Sequence, residues 1–238
     1  DASRVPSEVA PLVDAVNHHI ARYRRVLDEQ SQFLADASHQ LRTPLAIMLT
    51  QAQYALRERD PARAPEGLQH FVDQLGRTRR LTEQLLSLAH ANQADQLPRQ
   101  LLDMNTVSRE VVLQYLPLAH EKQQDLGWVQ AGSEEGLETP APVSGNEAEL
   151  HEALSNLVHN AIHYAPVGAR ITVSVCCKGD RAEVAVSDNG PGLDPILRQR
   201  AFARFERVGT DKPVASSGSG LGLAIARAYA RRNDGDIE

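Results

Sequence analysis

Ser38-His39-Gln40-Leu41-Arg42-Thr43-Pro44-Leu45 sits inside a run of apolar positions that recur in steps of three and four. Val13, Val16, Ile20, Tyr23, Leu27, Gln30, Leu34, Ala37, Leu41, Pro44 and Met48 fill alternating a and d places of a heptad. Gln30 and Pro44 are its two irregular d residues. A lone surface helix needs only a loose apolar stripe, so this regularity predicts self-association as a parallel coiled coil. With Leu34 at a and Ala37 at d, His39 falls at f, furthest from the seam. Thr43 follows one turn later on the same face. The spacing alone therefore puts the imidazole in water. Taken singly, an exposed histidine is ordinary surface. Pro44 changes its setting: proline inside a helix costs about 3 kcal/mol and removes the hydrogen bond to the Gln40 carbonyl. A bend or loosened turn is expected beside His39.

Working outward, the pattern ends near Arg59, where Asp60-Pro61-Ala62-Arg63-Ala64-Pro65 breaks it. Leu68, Phe71, Val72, Leu75, Leu81, Leu85, Leu86 and Leu88 then give a second helix a broad apolar face. Two helices joined by a short loop pack antiparallel, and two copies would form a four-helix bundle with His39 outside. Gln93 to Pro98 loses periodicity and reads as a linker.

After residue 99 the signals alternate. Val107 to Leu118 reads as a helix, Gly127 to Gln130 as a strand, and Glu147 to Tyr164 as a long helix. Ile171 to Cys177 and Ala182 to Ser187 alternate as strands, joined in a hairpin by Lys178-Gly179-Asp180. Leu223 to Arg232 is a last helix, and the mixture predicts an α+β layer structure. On the long helix Asn156 and Asn160 are one turn apart, and amide oxygens at that spacing suit a hard cation such as Mg²⁺. Two surface amides are the plain alternative. Asp188-Asn189-Gly190-Pro191-Gly192 follows a strand, where a carboxylate could accept from an exocyclic amine. As a single motif it is equally a capped turn. Gly218-Ser219-Gly220-Leu221-Gly222 opens a helix, where exposed backbone N–H groups suit phosphate. It lacks the Lys-Ser/Thr pair of a P-loop. The preceding Gly209 to Ser219 has the composition of a lid.

Composition narrows the classes. The chain has 238 residues, enough for two units. Its 4% aromatic content, with abundant Ala, Leu, Arg, Glu and Gln, favours helix. A net charge of −6 argues against sequence-independent nucleic-acid binding. No run of about 18 apolar residues exists to span a bilayer. There is no basic-then-apolar leader either. Cys176 and Cys177 are adjacent, so on a strand they face opposite ways and read as two buried thiols in a reducing compartment. A cytoplasmic location is expected.

Together these stretches resemble the sensor histidine kinases of bacterial two-component systems, along nearly the whole chain. Ser38 to Leu45 is similar to the H box, Asn156 to Tyr164 to the N box, and Asp188 to Gly192 to the G1 box. Phe202 to Arg207 resembles the F box and Gly218 to Gly222 the G2 box. Five elements in family order are far more specific than any one. The resemblance implies a coiled-coil signalling helix over 1–30, a dimerisation and histidine-phosphotransfer hairpin over 31–93, and a catalytic ATP-binding domain over 99–238. That domain would share the fold of gyrase and heat-shock chaperone ATPases. It implies ATP and Mg²⁺ as ligands, a homodimer, and a response-regulator receiver domain as partner. An upstream anchor would hold the protein at the bacterial inner membrane, with this portion in the cytoplasm.

Carried over by residue, His39 would be the phospho-acceptor, with Gln40 and Thr43 beside it. Asn160 would hold Mg²⁺ and Asn156 would lie near the phosphates. Tyr164 would lie against adenine and Asp188 would bond its amino group. Gly190, Gly192, Gly218, Gly220, Leu221 and Gly222 would close backbone and lid on the nucleotide, with Arg204 or Arg207 offsetting phosphate charge. Gln93 to Pro98 would be the hinge. Three departures stand out. Gln40 replaces the family's acid, so it can orient the imidazole but not take its proton. His163 replaces a common Lys; as an imidazolium it could contact phosphate, while with His159 and His151 it also has the spacing of a transition-metal site. Asn233 to Glu238 looks like a turn and the first residues of a strand without a partner. An ATPase that hydrolyses without transfer, and a nucleotide-binding dimeric scaffold, are the competing readings.

Overall fold

Helix α1 runs unbroken from Ala10 to Arg57 with Pro44 inside it, and α2 runs from Ala64 to Ala91. The computed structural model describes residues 10–57, 64–92, 98–131, 139–195, 197–198, 200–206 and 218–238. The loop at 58–63, the linker at 93–97 and the stretch 207–217 lie outside the described residues, as do the first nine. Contacts divide the chain into Asp1–Leu81 and Thr82–Glu238.

In the first unit the heptad residues split between two tasks. Ala37, Leu41 and Pro44 are half-buried and Met48 is buried. On α2 the half-buried residues are Gly67, Phe71, Gln74, Thr78 and Leu81, again in steps of four and three. Thr78 Oγ1 lies 4.0 Å from Met48 Sδ, so the two helices touch at that point. Upstream, Val16, Ile20, Tyr23 and Leu27 are exposed, although they continue the same a/d series. A further apolar stripe, Leu45, Leu49 and Leu56 on α1 with Leu68, Val72 and Leu75 on α2, also stays exposed. Exposed large apolar residues in such number along two helices suit an association face. Among the described residues no helix is long and apolar enough to cross a membrane.

The second unit is an α+β layer. Strand β1 (Gln100–Asp103) pairs antiparallel with β3 (Pro142–Gly145). Strand β2 (Asp125–Gln130) pairs parallel with β4 (Arg170–Lys178), which pairs antiparallel with β5 (Arg181–Asp188). The β4–β5 hairpin closes at Lys178 opposite Arg181, with Gly179 at φ 64°, the left-handed backbone a two-residue turn demands. Helix α3 (Met104–Glu121) starts at Asp103, whose carboxylate accepts the Asn105 amide at 3.0 Å. Helix α4 (Glu147–Tyr164) starts at Asn146, which accepts the Glu149 amide at 3.1 Å, with Glu147 and Glu149 in the first turn where the dipole favours them. Val111, Val112, Leu126, Leu154, Val158, Ile162, Ile171 and Val173 form the core between these helices and the sheet. Helix α5 (Gly222–Arg232) packs on α4.

Cys176 is half-buried and Cys177 exposed, not buried as expected, because both lie toward the open end of β4 beside the hairpin turn. The chain end also departs from expectation. Asn233 and Asp234 make the turn, but 235–238 form no strand. The Gly235 amide donates to Ala230 O at 2.9 Å, and Asp236 accepts from both Arg227 and Arg231. These bonds fold the segment back on α5 instead of extending it.

Candidate functional site

On α1 the spacing that buries Ala37, Leu41, Pro44 and Met48 sends position f the other way. His39, Gln40 and Thr43 are all exposed. Ser38 Oγ donates to Leu34 O at 2.7 Å, a bond within the helix that leaves the neighbouring imidazole uncovered. His39 has no side-chain partner among the described residues. Its ring nitrogens are open to an incoming electrophile.

In the second unit the sequence-predicted groups gather at the C-terminal half of α4. Asn156 is buried; its Nδ2 donates to Glu152 O at 2.9 Å and to Glu152 Oε1 at 3.0 Å. Those bonds fix the amide so that Oδ1 turns to the start of α5, where a Cβ on Gly222 would come within 3.3 Å. Asn160, one turn on, is half-buried and its amide has no partner among the described residues. A half-buried amide oxygen left uncommitted fits a Mg²⁺ ion, which takes oxygen ligands and keeps several waters. His163 stacks on His159 at 6.1 Å between ring centroids and meets Tyr164 edge-on at 5.1 Å. Tyr164 is 41% exposed, which leaves ring surface for a flat ligand. Among the described residues no group of three metal-binding side chains exists, so His151, His159 and His163 do not assemble a transition-metal site.

Asp188 ends β5 and reaches the same region. Its Oδ1 accepts the Gly190 amide at 2.8 Å, which orients the carboxylate and leaves the second oxygen uncommitted. A Cβ on Gly190 would strike that Oδ1 at 2.6 Å and approach Ala165 Cα at 3.4 Å. Glycine there lets the loop close on Ala165, which follows Tyr164 at the end of α4. Gly192 has φ 71° with nothing near it. Asn189, unremarked in the sequence, accepts the Arg170 amide at 2.8 Å and anchors the loop to β4.

The glycine loop before α5 completes the set. Gly220 has φ 71°, and a Cβ would meet Glu206 O and Phe205 C at 2.8 Å. The Phe205 amide donates to Gly220 O at 2.9 Å, and Phe205 itself is held at φ 61°. This brings the 205–206 segment against the loop, an association five residues of local sequence could not reveal. Leu221 is fully buried, so its side chain serves the core and only its backbone faces the loop. No side chain caps α5 at Leu221. Gly218 is exposed. Arg204 Nη2 lies 3.4 Å from Asn92 Oδ1, while Arg207 lies outside the described residues. A helix start that no side chain caps at Leu221, an oriented carboxylate, an exposed aromatic ring and an Asn160 amide without a partner among the described residues together fit a Mg²⁺–nucleotide.

Two family models match the chain in succession. The His Kinase A (phospho-acceptor) domain matches residues 29–94, and the Histidine kinase-, DNA gyrase B-, and HSP90-like ATPase matches residues 145–238. Sensor protein kinase PmrB of Pseudomonas aeruginosa is 35% identical over 237 residues, covering 98% of this chain and 47% of that protein. The chain thus spans about half the length of the curated relatives it matches. Among solved structures, Acinetobacter baumannii histidine kinase AdeS aligns with TM-score 0.62 at 22% identity, covering 82% of this chain and 86% of that one. Histidine kinase ThkA, solved in complex with response regulator protein TrrA, aligns with TM-score 0.69 at 19% identity over 89% of this chain and 57% of that one. With an exposed histidine in a phospho-acceptor hairpin and a nucleotide-type α+β unit behind it, this chain belongs to the sensor histidine kinases of bacterial two-component systems.

Proposed function

We propose that this chain phosphorylates His39 with ATP and passes the phosphoryl group to an aspartate of a response-regulator receiver domain. The observation that carries the reading is His39, exposed and without a side-chain partner among the described residues, in a chain whose second unit also carries Asn160, Tyr164, Asp188 and the Gly218–Gly222 loop. A neutral imidazole is a competent nucleophile near neutral pH. Its ring nitrogen forms a P–N bond to the γ-phosphorus as the bond to the bridging oxygen breaks, releasing ADP. Phosphoryl transfer asks the protein mainly for alignment and charge compensation. Asp188 would accept from the adenine amino group, the Tyr164 ring would lie against the base, and the loop amides would bond phosphate oxygens. Mg²⁺, held through Asn160, would offset phosphate charge. His163 would add a donor near the phosphates. Gln40 would orient the His39 ring through its amide oxygen without taking the proton.

The exposed stripes on α1 and α2 suit a second copy of the chain, giving a four-helix bundle continued upstream by Val16, Ile20, Tyr23 and Leu27. A receiver domain is the partner suggested by the ThkA–TrrA complex. An upstream segment would tie the protein to the inner membrane, leaving these units in the cytoplasm. Incubation with γ-labelled ATP and Mg²⁺ tests the core of this. The wild type should take up acid-labile, base-stable label, and His39→Ala and Asn160→Ala should not. Label that persists in His39→Ala, or ATP hydrolysis without any protein label, would defeat the proposal.

A further inference from the structure

The last turns of α2 are built into the second unit, and their polar side chains reach the glycine loop. The unit begins at Thr82. From there Leu85, Leu88 and Ala91 are buried, as is Tyr229 of α5. The Tyr229 hydroxyl donates to Ser87 O at 3.0 Å and accepts from Ser87 Oγ at 3.0 Å. Arg232 Nη1 lies 3.4 Å from His90 O. These contacts fix α2 against α5. One turn earlier a different contact reaches beyond α5 itself: Ser219 Oγ donates to Gln84 Oε1 at 2.6 Å.

Ser219 stands between Gly218 and Gly220, inside the loop whose amides would meet phosphate. A hydroxyl has one proton, and here it goes to Gln84. Its lone pairs are then directed elsewhere, and the Leu221 amide donates to Ser219 Oγ at 3.2 Å. Because no side chain caps α5 at Leu221, this bond is what orders the first amide of the helix entry. Gly220 lies between the two bonded residues with its carbonyl accepting the Phe205 amide. The loop is thus pinned at three places, and the pin at Ser219 ends on α2. Within a half-buried polar contact, the acceptor on Gln84 decides which way the Ser219 hydroxyl turns.

We propose that Gln84 is a positioning residue for the nucleotide loop. Its amide oxygen sets the Ser219 rotamer, and through it the conformation of Gly218–Gly222 that would receive the phosphates of ATP. The inference rests on the ATP-binding reading above. Gln84 touches no reacting atom; it acts through Ser219. Helix α2 is continuous from Ala64 to Ala91, so a shift of α2 along or about its axis is carried straight to Gln84. The loop would then read that shift as a change in nucleotide affinity.

A double-mutant cycle in the full chain tests this. Gln84→Met keeps volume and helix propensity but deletes the acceptor; Ser219→Ala deletes the hydroxyl; the third variant carries both. Mg²⁺–ATP affinity is measured by calorimetry, and unfolding by the fluorescence of Trp128. Each single variant should weaken ATP binding about fivefold, the net worth of one hydrogen bond. The double variant should be no weaker than the weaker single. Tyr229→Phe should lower the unfolding midpoint and weaken ATP binding less than Gln84→Met does. Additive losses, unaltered affinity in Gln84→Met, or an equal loss in Tyr229→Phe would each overturn the assignment to Gln84. Failure of the wild type itself to bind ATP would instead strike the reading on which it rests.

Discussion

Gly220→Ala places a methyl group where the backbone of another segment already lies. The new Cβ would sit 2.8 Å from Phe205 C and Glu206 O and 3.0 Å from Phe205 Cα. None of these is the end of a flexible side chain, so relief requires the loop or residues 205–206 to move. Two costs add. An L-residue at φ 71° loses about 1–2 kcal/mol to the left-handed backbone. Displacing backbone in a packed contact costs about 1–3 kcal/mol more. The sum, about 2–5 kcal/mol, is large against the total stability of a domain. Gly192 separates the two effects, because it shares φ 71° but has nothing within 4 Å. Gly192→Ala should therefore lose only the first, about 1–2 kcal/mol. Gly218 has open space and no positive φ, so Gly218→Ala should be neutral or gain about 0.5 kcal/mol by restricting the unfolded chain. Urea unfolding followed by Trp128 gives the assay. This only tryptophan lies in the second unit, with its indole N–H donating to Ser108 Oγ at 2.7 Å. The expected order of loss is Gly218, Gly192, Gly220. A Gly220→Ala midpoint no lower than that of Gly192→Ala would refute the clamp between the loop and Phe205.

Gln40→Glu should raise the initial rate of label uptake by restoring a base beside His39; equal initial rates in the two proteins would remove that role for residue 40. Arg232→Met strands the buried Glu149, whose Oε1 accepts from Arg232 Nε at 2.8 Å. An uncompensated buried carboxylate costs about 3–5 kcal/mol, so the Trp128 unfolding midpoint should fall sharply, and a shift within error would show the pair to be dispensable. Asp236 shares the acid response of the chain end with Asp234, whose carboxyl Arg99 also holds low. Hydrogen bonds from Arg227, then Arg231, then the Ile237 amide hold the Asp236 carboxyl well below the usual carboxylate range. A lowered folded-state pKa stabilises above the unfolded value, near pH 4, and that share is lost as pH falls through the folded value. Asp236→Asn should flatten the unfolding curve below about pH 4, and an unchanged acid limb would contradict it.

Elements whose signals are local were legible in the sequence. Helix α4 runs from Glu147 to Tyr164 as its cap and acidic first turn imply, and Gly179-Asp180 marks the β4–β5 hairpin. Strands β1 and β3 were not legible: each has four residues, and they pair with one another across some forty residues of chain. The expected strand after Asn233 gave way to bonds from Arg227 and Arg231, on the preceding helix, that no propensity encodes. The tie of Ser87 to Tyr229, 142 residues apart, is of the same kind. It groups the end of α2 with the second unit, whereas loss of periodicity pointed to the linker after Asn92.

The candidate site divides along the same line. Positive φ at Gly192 and Gly220 follows from glycine in a turn, but the partner that makes Gly220 indispensable, Phe205, does not. His39 is the instructive case, because its exposure does not depend on knowing what the heptad packs against. Steps of three and four generate one stripe whether the other helix is a second copy or α2 of the same chain. In the structure Ala37, Leu41, Pro44 and Met48 are the covered residues, with Met48 against Thr78 of α2, while Val16, Ile20, Tyr23 and Leu27 remain open. Position f lies opposite the stripe in both cases. The accessibility of His39 is therefore a property of the helix itself, set by 3.6 residues per turn and its place within the repeat.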